Sequence, residues 1–444
     1  MKTTISLKNI NKLAIPALIS GVSEPILSIT DTAIVGNIDI NPVESLAAIG
    51  IVGTFLSMLI WVLGQSRSAI STIISQYLGA DNLEAVKNLP AQAIFIITSL
   101  GLFIIVGTYP IANHIFKLYN ASDLILDYSV LYYKIRVFGF PLTLFTIAVF
   151  GTFRGLQNTY HPMIIAIIGA VSNIILDYVL VYGISGYLEP MNIEGAAYAS
   201  VFAQFLMALL SAYYLLSKTS IPLKLSFQFN DEIWRFLTMI FNLFIRTLAL
   251  NITLYFATRF ATGYGKTYIA AYTIAINLWF LGAFIIDGYA GAGNIMSGKL
   301  YGSKNYKDLI ELNQKLIKIG VIVGVLLAIV GFALYKPLGF LFTKDPQVLE
   351  TFYSVFWIVL IMQPICAVAF IFDGVFKGLG KMSTLRNVLL LATFLVFIPI
   401  LYLLDYYGFK LNGIFFALTF WMVARAIPLL INFRKEFLPL AQKS

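Results

Sequence analysis

Apolar stretches of about 20 residues, the length needed to cross a bilayer, follow one another along the whole chain. Hydrophobic residues make up 59% of the 444 positions and charged residues only 11%, whereas soluble domains carry about 25% charged residues. The mean hydropathy is +0.86. The sequence therefore excludes a soluble globular protein and predicts an all-α membrane protein with no separate domain for catalysis.

Runs bounded by charged residues, glycine, proline and asparagine predict twelve transmembrane spans. Lysine and arginine concentrate in the loops on one side of these spans, the pattern that marks the cytoplasmic side of a membrane protein. We therefore expect a multi-pass protein of the inner (plasma) membrane with both termini in the cytoplasm. The predicted bounds of spans 1 to 12 are 13–36, 46–75, 91–113, 128–152, 162–184, 193–217, 233–260, 267–297, 312–335, 350–376, 384–405 and 411–433.

Several sequence features argue against nucleic-acid binding, metal binding and catalysis. The net charge of +9 is spread over short loops rather than along one basic stripe, so we expect no nucleic-acid partner. The single cysteine, Cys366, excludes an intrachain disulfide, and His114 and His161 are too isolated for a metal site or an acid–base pair. The sequence contains no dinucleotide-binding or ATP-binding motif. We therefore expect no enzyme activity and no cofactor. Any energy-requiring step would have to draw on an ion gradient rather than on ATP.

An internal repeat divides the chain into two halves. Residues 78–82 and 153–156 reappear at a constant offset of 223 as residues 301–305 and 376–379. Six spans per copy is an even number, so the two copies should be related by a pseudo-two-fold axis along the membrane normal. We predict two six-helix bundles facing a central cavity, with an N-lobe over 1–217, a cytoplasmic linker over 218–231 and a C-lobe over 232–444.

Acidic residues inside the predicted spans are the strongest functional candidates, because an ionised aspartate in the middle of a membrane helix costs about 2.5 to 3.5 kcal/mol. Asp31 in span 1 and Asp177 in span 5 lie at similar depth on two outward-running spans. Asn173 lies one helical turn from Asp177, and Glu24 lies two turns from Asp31. Two close carboxylates in a low dielectric do not both stay ionised, so this pair is suited to binding and releasing a proton.

Two features of the N-lobe have alternative interpretations. The acids could instead form structural ion pairs with Arg67 or Arg136, which would only hold helices together. Pro16 and Pro25 free backbone carbonyls in span 1 and permit a bend, through which protonation would alter the helix. The alternative is a proline kink that only shapes packing.

The two copies of the repeat differ at the positions of the acids. At the offset of 223, Asp31 and Asp177 correspond to Leu254 and Ile400, which are apolar. The two lobes are therefore not functionally equivalent, and the N-lobe site has no counterpart in the C-lobe.

Five motifs follow one another along the chain, and together they resemble those of a known family. They are Pro16–Pro25, Thr30–Gly36, Phe153–Asn158 with Pro162, Asn173–Asp177 and Gly195–Ser200. Their order and spacing, over nearly the whole chain, resemble the multidrug and toxic compound extrusion (MATE) family, and the run 287–290 is similar to its DinF-like branch. The resemblance implies an antiporter that exports cationic or amphipathic compounds by alternating access, in exchange for protons or sodium.

The resemblance also implies roles for individual residues. Asp31, Asn173 and Asp177 match the proton- or cation-coupling site in the N-lobe of the family. Ser200 stands where the family often has a threonine, and Tyr132 falls near the position of a tyrosine in span 4.

The C-lobe carries its own intramembrane charges, namely Asp287, Asp373 and Arg246. Asp373 matches an acid that the NorM-like branch uses for sodium, but that branch also needs a carboxylate in span 7, which this sequence lacks. We therefore interpret these residues as a structural ion pair of Arg246 with Asp287 or Asp373, with ion binding as the alternative.

Two alternatives remain for the function as a whole. Sodium rather than the proton is the alternative coupling ion, at Asp31 and Asp177. A lipid-linked oligosaccharide flippase of the same superfamily is the alternative activity, although it would need a basic cavity for pyrophosphate. A membrane enzyme or a passive channel fits less well, because neither requires a repeated two-lobed design. We expect a monomer whose partners are the lipid bilayer and small-molecule substrates, with no bound metal.

Overall fold

The computed structural model describes residues 5–184, 186–226 and 228–443, and within the first helix it describes no side chains for residues 23–29. Seventeen α-helices account for most of this described chain. Their bounds are α1 Leu7–Val35, α2 Pro42–Leu63, α3 Ser66–Gly79, α4 Leu89–Thr108, α5 Ala112–Leu118, α6 Asp123–Arg136, α7 Gly139–Gly155, α8 Tyr160–Tyr182, α9 Asn192–Lys218, α10 Ile233–Gly263, α11 Lys266–Gly302, α12 Tyr306–Ala333, α13 Tyr335–Phe342, α14 Pro346–Gly378, α15 Met382–Leu391, α16 Ile398–Tyr406 and α17 Lys410–Lys443.

The helices are long and apolar enough for a multi-pass membrane protein. Ten stretches of the described residues meet this condition as they stand, and the bent pair α6 and α7 makes an eleventh. The first helix, α1, has 29 residues, a length of about 43 Å at 1.5 Å per residue, and supplies the remaining span. The all-α membrane architecture predicted from the apolar stretches is confirmed.

Span 4 is not the single helix that the sequence predicts over 128–152. It consists of α6 and α7, which are bent by 48° relative to each other. The break falls between Arg136, the last residue of α6, and Gly139, the first residue of α7. A Cβ atom at Gly139 would overlap the Gln204 side chain of α9, so the glycine gives room for a polar group from another helix.

Spans 2 and 11 are also divided. Span 2 consists of α2 and α3, which are separated at Gly64 and Gln65. In span 11 a π-helical turn over Ala392–Phe397 joins α15 to α16. Pro399 lies in the first turn of α16, and because proline has no N–H and its ring crowds the preceding turn, the regular hydrogen-bond ladder is interrupted there.

The chain divides into two compact units whose bounds differ from the predicted lobes of 1–217 and 232–444. The start of α1 and the end of α3 belong to the C-terminal unit rather than to the N-terminal one. The N-terminal unit comprises Ile19–Ile74 and Asn82–Ile240, and the C-terminal unit comprises Met1–Leu18, Ser75–Asp81 and Phe241–Ser444.

The predicted linker, 218–231, is part of the N-terminal unit. The buried Gln92 of α4 donates through its Nε2 atom to the carbonyl oxygens of Ser226 (3.1 Å) and Gln228 (2.7 Å). Its Oε1 atom accepts from the backbone N–H of Asn230 at 3.0 Å. Three hydrogen bonds from one buried side chain attach this segment to α4.

Each unit has an aromatic core of its own. In the N-terminal unit, Phe55 and Tyr133 pack edge-to-face on Phe116, with ring centroids 6.1 and 5.3 Å from it. In the C-terminal unit, the rings of Phe352 and Phe356 lie 4.7 Å apart in a cluster that spans several helices. Because the polar residues described below lie deep within these units, the surrounding apolar side chains keep their dielectric low.

Within the C-terminal unit, the end of α3 packs backbone to backbone on the end of α11. A Cβ atom at Gly79 would overlap the carbonyl oxygen of Lys299, and a Cβ atom at Gly302 would overlap that of Gln76. At the repeat offset of 223, Gln76 corresponds to Lys299 and Gly79 to Gly302. The contact is therefore reciprocal between the two copies of the repeat.

Candidate ion-coupling site

A hydrogen-bonded chain links three helices inside the N-terminal unit. Ser200 of α9 donates through its hydroxyl to Asp31 Oδ2 of α1 at 2.9 Å. Asn173 of α8 donates through Nδ2 to the Ser200 oxygen at 3.4 Å. All three side chains are buried, and Asp31 is only 3% exposed. The predicted candidates Asp31, Asn173 and Ser200 are thus brought together, with Ser200 as the central member.

Asp177 lies one helical turn from Asn173 and has an unusual environment. It is fully buried, and neither of its carboxylate oxygens has a hydrogen-bond partner within the part of the chain that the structure describes. Asp31 lies close enough to interact with it electrostatically and, when one of the two carboxyl groups carries a proton, by a hydrogen bond. Asp31 Oδ1 and Asn173 Oδ1 are likewise buried and unpartnered. An ionised carboxylate in this position is very unfavourable, so a proton or a bound cation is needed to satisfy it.

The alternative in which arginines pair with these acids stays open for Glu24, whose side chain is outside the described residues. None of the ion pairs among the described residues includes Asp31 or Asp177. Arg136 instead donates through Nη1 to Gln204 Oε1 at 2.8 Å. Glu24 and Pro25 lie in the segment whose side chains are outside the described residues, so their predicted roles stay predictions. Pro16 lies inside the continuous helix α1, and the bend predicted there also stays a prediction.

Three pairs of polar residues, each separated by one helical turn, surround the site. Tyr132 of α6 is 3% exposed and lies within the electrostatic reach of Asp31, Asp177 and Arg136. The sequence analysis did not identify Gln204, which is 1% exposed, and it considered Arg136 only as an ion-pair partner of the acids. Each of these residues lies four positions from another polar residue of the site, which places both on one helix face. This spacing was the signal that could have identified Gln204 from the sequence. The pairs are Tyr132 with Arg136, Asn173 with Asp177 and Ser200 with Gln204.

The C-terminal unit holds a different arrangement around Asp373 of α14. Its Oδ2 atom accepts hydrogen bonds from Nη2 of Arg246 and, at 3.1 Å, from Nη2 of Arg425. The Arg425 guanidinium is 2% exposed and lies 4.7 Å from the ring centroid of Trp421. Asp287 has an exposed side chain and takes part in no ion pair of the described chain. Sequence analysis missed Arg425, because a lone arginine near the cytoplasmic end of a span resembles a topogenic charge.

The positions that correspond to the acids in the C-terminal unit are apolar and partly buried. Leu254 and Ile400 both pack against the main hydrophobic cluster of this unit. The neighbouring polar groups are neutral, since Trp421 Nε1 donates to the Thr393 hydroxyl at 3.1 Å and Thr393 lies 3.0 Å from the Thr253 hydroxyl. The C-terminal unit therefore has no counterpart of the Asp31 and Asp177 carboxyl groups at these two positions.

A multi-pass helical protein with buried, unpartnered carboxylates inside its spans belongs to the class of membrane transporters, because such groups serve ion pathways rather than stability. Comparison with known proteins agrees with this class. The sequence profile of the MatE family matches residues 16–179 and again residues 239–403. The second stretch begins 223 residues after the first, so the match also reproduces the internal repeat. The chain belongs to the MatE family, and it is a transporter rather than an enzyme.

Relatives with curated names cover almost the whole chain. DNA damage-inducible protein F of Escherichia coli K12 is 26% identical over 98% of this chain and 93% of that protein. Protein DETOXIFICATION 42 of Arabidopsis thaliana is 25% identical over 94% of this chain and 90% of that protein. A probable multidrug resistance protein NorM of Thermotoga maritima is 25% identical over 84% of this chain and 80% of its own length.

Solved structures share the fold. A crystal structure of a MATE protein in the bent conformation has a TM-score of 0.89 and 22% sequence identity, and it covers 98% of this chain and 96% of its own. An outward-facing multidrug resistance transporter of the MATE family, within the MOP superfamily, has a TM-score of 0.86 and 20% identity over the full length of both chains. At this identity the likeness establishes the fold and not the substrate.

Proposed function

We propose that the protein is a secondary active multidrug efflux antiporter of the inner (plasma) membrane, which exports cationic or amphipathic compounds in exchange for protons. The observation that carries the proposal is Asp177, a fully buried carboxyl group whose two oxygens have no donor in the described chain. Relatives that are named multidrug resistance proteins support the substrate class.

The proton and the substrate compete for the same negative charge. Ser200 donates to Asp31, whereas Asp177 has no donor among the described residues, so we assign the proton to Asp177. When Asp177 carries the proton, the attraction between the site and a cationic substrate weakens. A proton that enters from outside would thereby release the substrate outward, and loss of the proton to the cytoplasm would restore the site for the next substrate.

Sodium is the second candidate for the coupling ion, and the same site favours it. Four buried oxygens without donors, from Asp31, Asn173 and Asp177, are the hard ligands that an alkali cation prefers. Sodium binding at Asp373 is disfavoured, because two guanidinium groups already neutralise that carboxylate. The excess of acidic oxygens in the N-terminal unit also disfavours a lipid pyrophosphate as the transported group.

The test uses ethidium, a planar cation, as the probe for purified protein. Its affinity is measured from about pH 6 to pH 8, together with the protons released on binding. Because linkage is reciprocal, a proton that weakens ethidium binding must be released when ethidium binds. We expect tighter binding as the pH rises, with proton release, in the wild type.

The variants test the role of the two acids, and a change of salt distinguishes protons from sodium as the coupling ion. Asp31→Asn and Asp177→Asn should bind ethidium without pH dependence, whereas Asp127→Asn, an exposed aspartate on α6, should behave as the wild type does. A wild-type affinity that stays constant with pH would refute proton coupling. Weaker binding in sodium than in potassium at a fixed pH would establish sodium as the competing ion instead.

A further inference from the structure

Arg136 and Gln204 form a contact that the exchange of protons for substrate does not by itself require. Gln204 is 1% exposed, and its Oε1 atom accepts from Arg136 Nη1 at 2.8 Å. The contact lies at the break between α6 and α7, where the two helices are bent by 48°. It brings a permanent positive charge to within one helical turn of Tyr132, which borders the two acids.

The surroundings of Gln204 indicate that its side chain is placed for Arg136. A Cβ atom at Gly139 would overlap Gln204 Oε1, so the first residue of α7 leaves room for this amide. The Nε2 atom of Gln204 is buried and has no acceptor in the described part of the chain. Leaving a buried donor unsatisfied costs about 1 to 3 kcal/mol, so the bond to Arg136 is the reason that the structure offers for a glutamine at this position.

The charged groups around Arg136 compete with Gln204 for it. Those described are Asp31 on α1 and Asp177 on α8, with the titratable Tyr132 on α6, whose hydroxyl is itself hydrogen-bonded to Arg136. Asp177 lies within the electrostatic reach of Arg136. A hydrogen bond between two charged groups is about twice as strong as one between neutral groups. Without Gln204, the guanidinium would therefore move toward the carboxylates.

We propose that Gln204 is a latch that holds Arg136 away from Asp31 and Asp177. This inference rests on the proposed antiport at the same acids. With the latch closed, the emptied site keeps its negative charge and needs a proton or a cationic substrate before the protein changes conformation. With the latch open, Arg136 neutralises the acids. The protein can then change conformation without a bound proton or substrate, so substrate efflux is no longer coupled to proton entry. Gln204 is thus a positioning residue that makes transport obligatorily coupled.

The test compares Gln204→Leu with the double variant Arg136→Gln/Gln204→Leu. In the single variant, ethidium must displace a charge-assisted bond worth about 1.5 to 3 kcal/mol, so its affinity at about pH 8 should fall roughly ten- to a hundredfold. The pH dependence of binding should flatten as well. In the double variant no guanidinium remains to occupy the acids, and we expect the affinity and its pH dependence to return.

Gly139→Ala provides an independent way to open the latch. Its added methyl group meets the end of a flexible side chain, so it should displace the Gln204 amide without moving a helix. We expect the same loss as in Gln204→Leu, and the same recovery when Arg136→Gln is added. In proteoliposomes, both single variants should also show downhill ethidium efflux that does not require a counter-flow of protons.

The outcomes separate the two proposals. If wild-type binding depends on pH and Gln204→Leu behaves identically, the latch is wrong and the antiport stands. If the double variant keeps the loss of affinity, the defect comes from packing and the latch is again wrong. If the wild type itself shows no pH dependence, the proposed proton coupling has failed.

Discussion

Asp177 in the N-terminal unit and Asp373 in the C-terminal unit are both buried aspartates in long apolar helices, but their oxygens have opposite surroundings. Asp177 has no donor among the described residues, whereas Asp373 receives two guanidinium groups. A buried carboxylate that is neutralised by fixed charges does not need a bound ion. A buried carboxylate without a donor needs a proton or a cation. Burial alone therefore does not distinguish the two aspartates, whereas the hydrogen-bond donors around their carboxylates do.

The largest difference between the two aspartates should appear in transport, when one acid in each unit is neutralised. Asp177→Asn should reduce uphill ethidium efflux to the level of vesicles without the protein, because asparagine resembles only the protonated form and cannot exchange a proton. Asp373→Asn should keep efflux that a pH gradient drives. Rates in everted vesicles, at equal amounts of protein, provide the measurement. The reverse order of rates would move the coupling site to the C-terminal unit.

Stability should respond in the opposite sense. Asp373→Asn leaves Arg246 and Arg425 buried without a counter-charge, and breaking such a buried pair costs about 3 to 5 kcal/mol. Asp177→Asn removes a buried carboxyl group that has no donor, so its free energy of unfolding should change little. Thermal unfolding of both purified variants beside the wild type measures the difference. Equal losses of stability would show that Asp177 has a structural partner as strong as the one at Asp373.

A smaller effect would sharpen the description of the N-terminal site. Ser200→Ala removes the donor to Asp31 Oδ2, and the loss of a hydrogen bond to a charged group costs about 1.5 kcal/mol. The affinity for ethidium at a fixed pH should therefore fall by up to about tenfold, because Asp31 Oδ2 loses the donor that orients it. Ser200→Thr keeps the hydroxyl and serves as the control. A threonine variant as defective as the alanine variant would mean that the volume of residue 200 matters rather than its hydroxyl.

Much of the architecture could be predicted from the sequence, because a bilayer leaves few choices. Every backbone polar group in the hydrocarbon must be satisfied within a helix, so long apolar stretches predict both the number and the type of the elements. Asp31, Asn173 and Asp177 could be found for a related reason, since an acid or amide in such a stretch is too unfavourable to be incidental.

The parts that the sequence did not predict depend on contacts between distant residues. The contact of Gln204 of α9 with Gly139, beside the break in span 4, could not be predicted, because an isolated glycine in a helix has many other uses. The ends of α1 and α3 were assigned to the N-lobe because chain order was followed, whereas packing assigns them to the C-terminal unit. Arg425 becomes distinctive only when Asp373 and Arg246 lie beside it.

The reciprocal contact of Gly79 and Gly302 has a consequence for how closely the two helix ends pack. Each glycine faces a backbone carbonyl of the other repeat, and a carbonyl cannot turn aside as a side chain can. Even a methyl group at either glycine would therefore collide with main chain and push the helix ends apart. Such a displacement would also strain the neighbouring hydrogen bond from Gln76 Nε2 to the Gly378 carbonyl. These two positions thus set the spacing of α3 and α11.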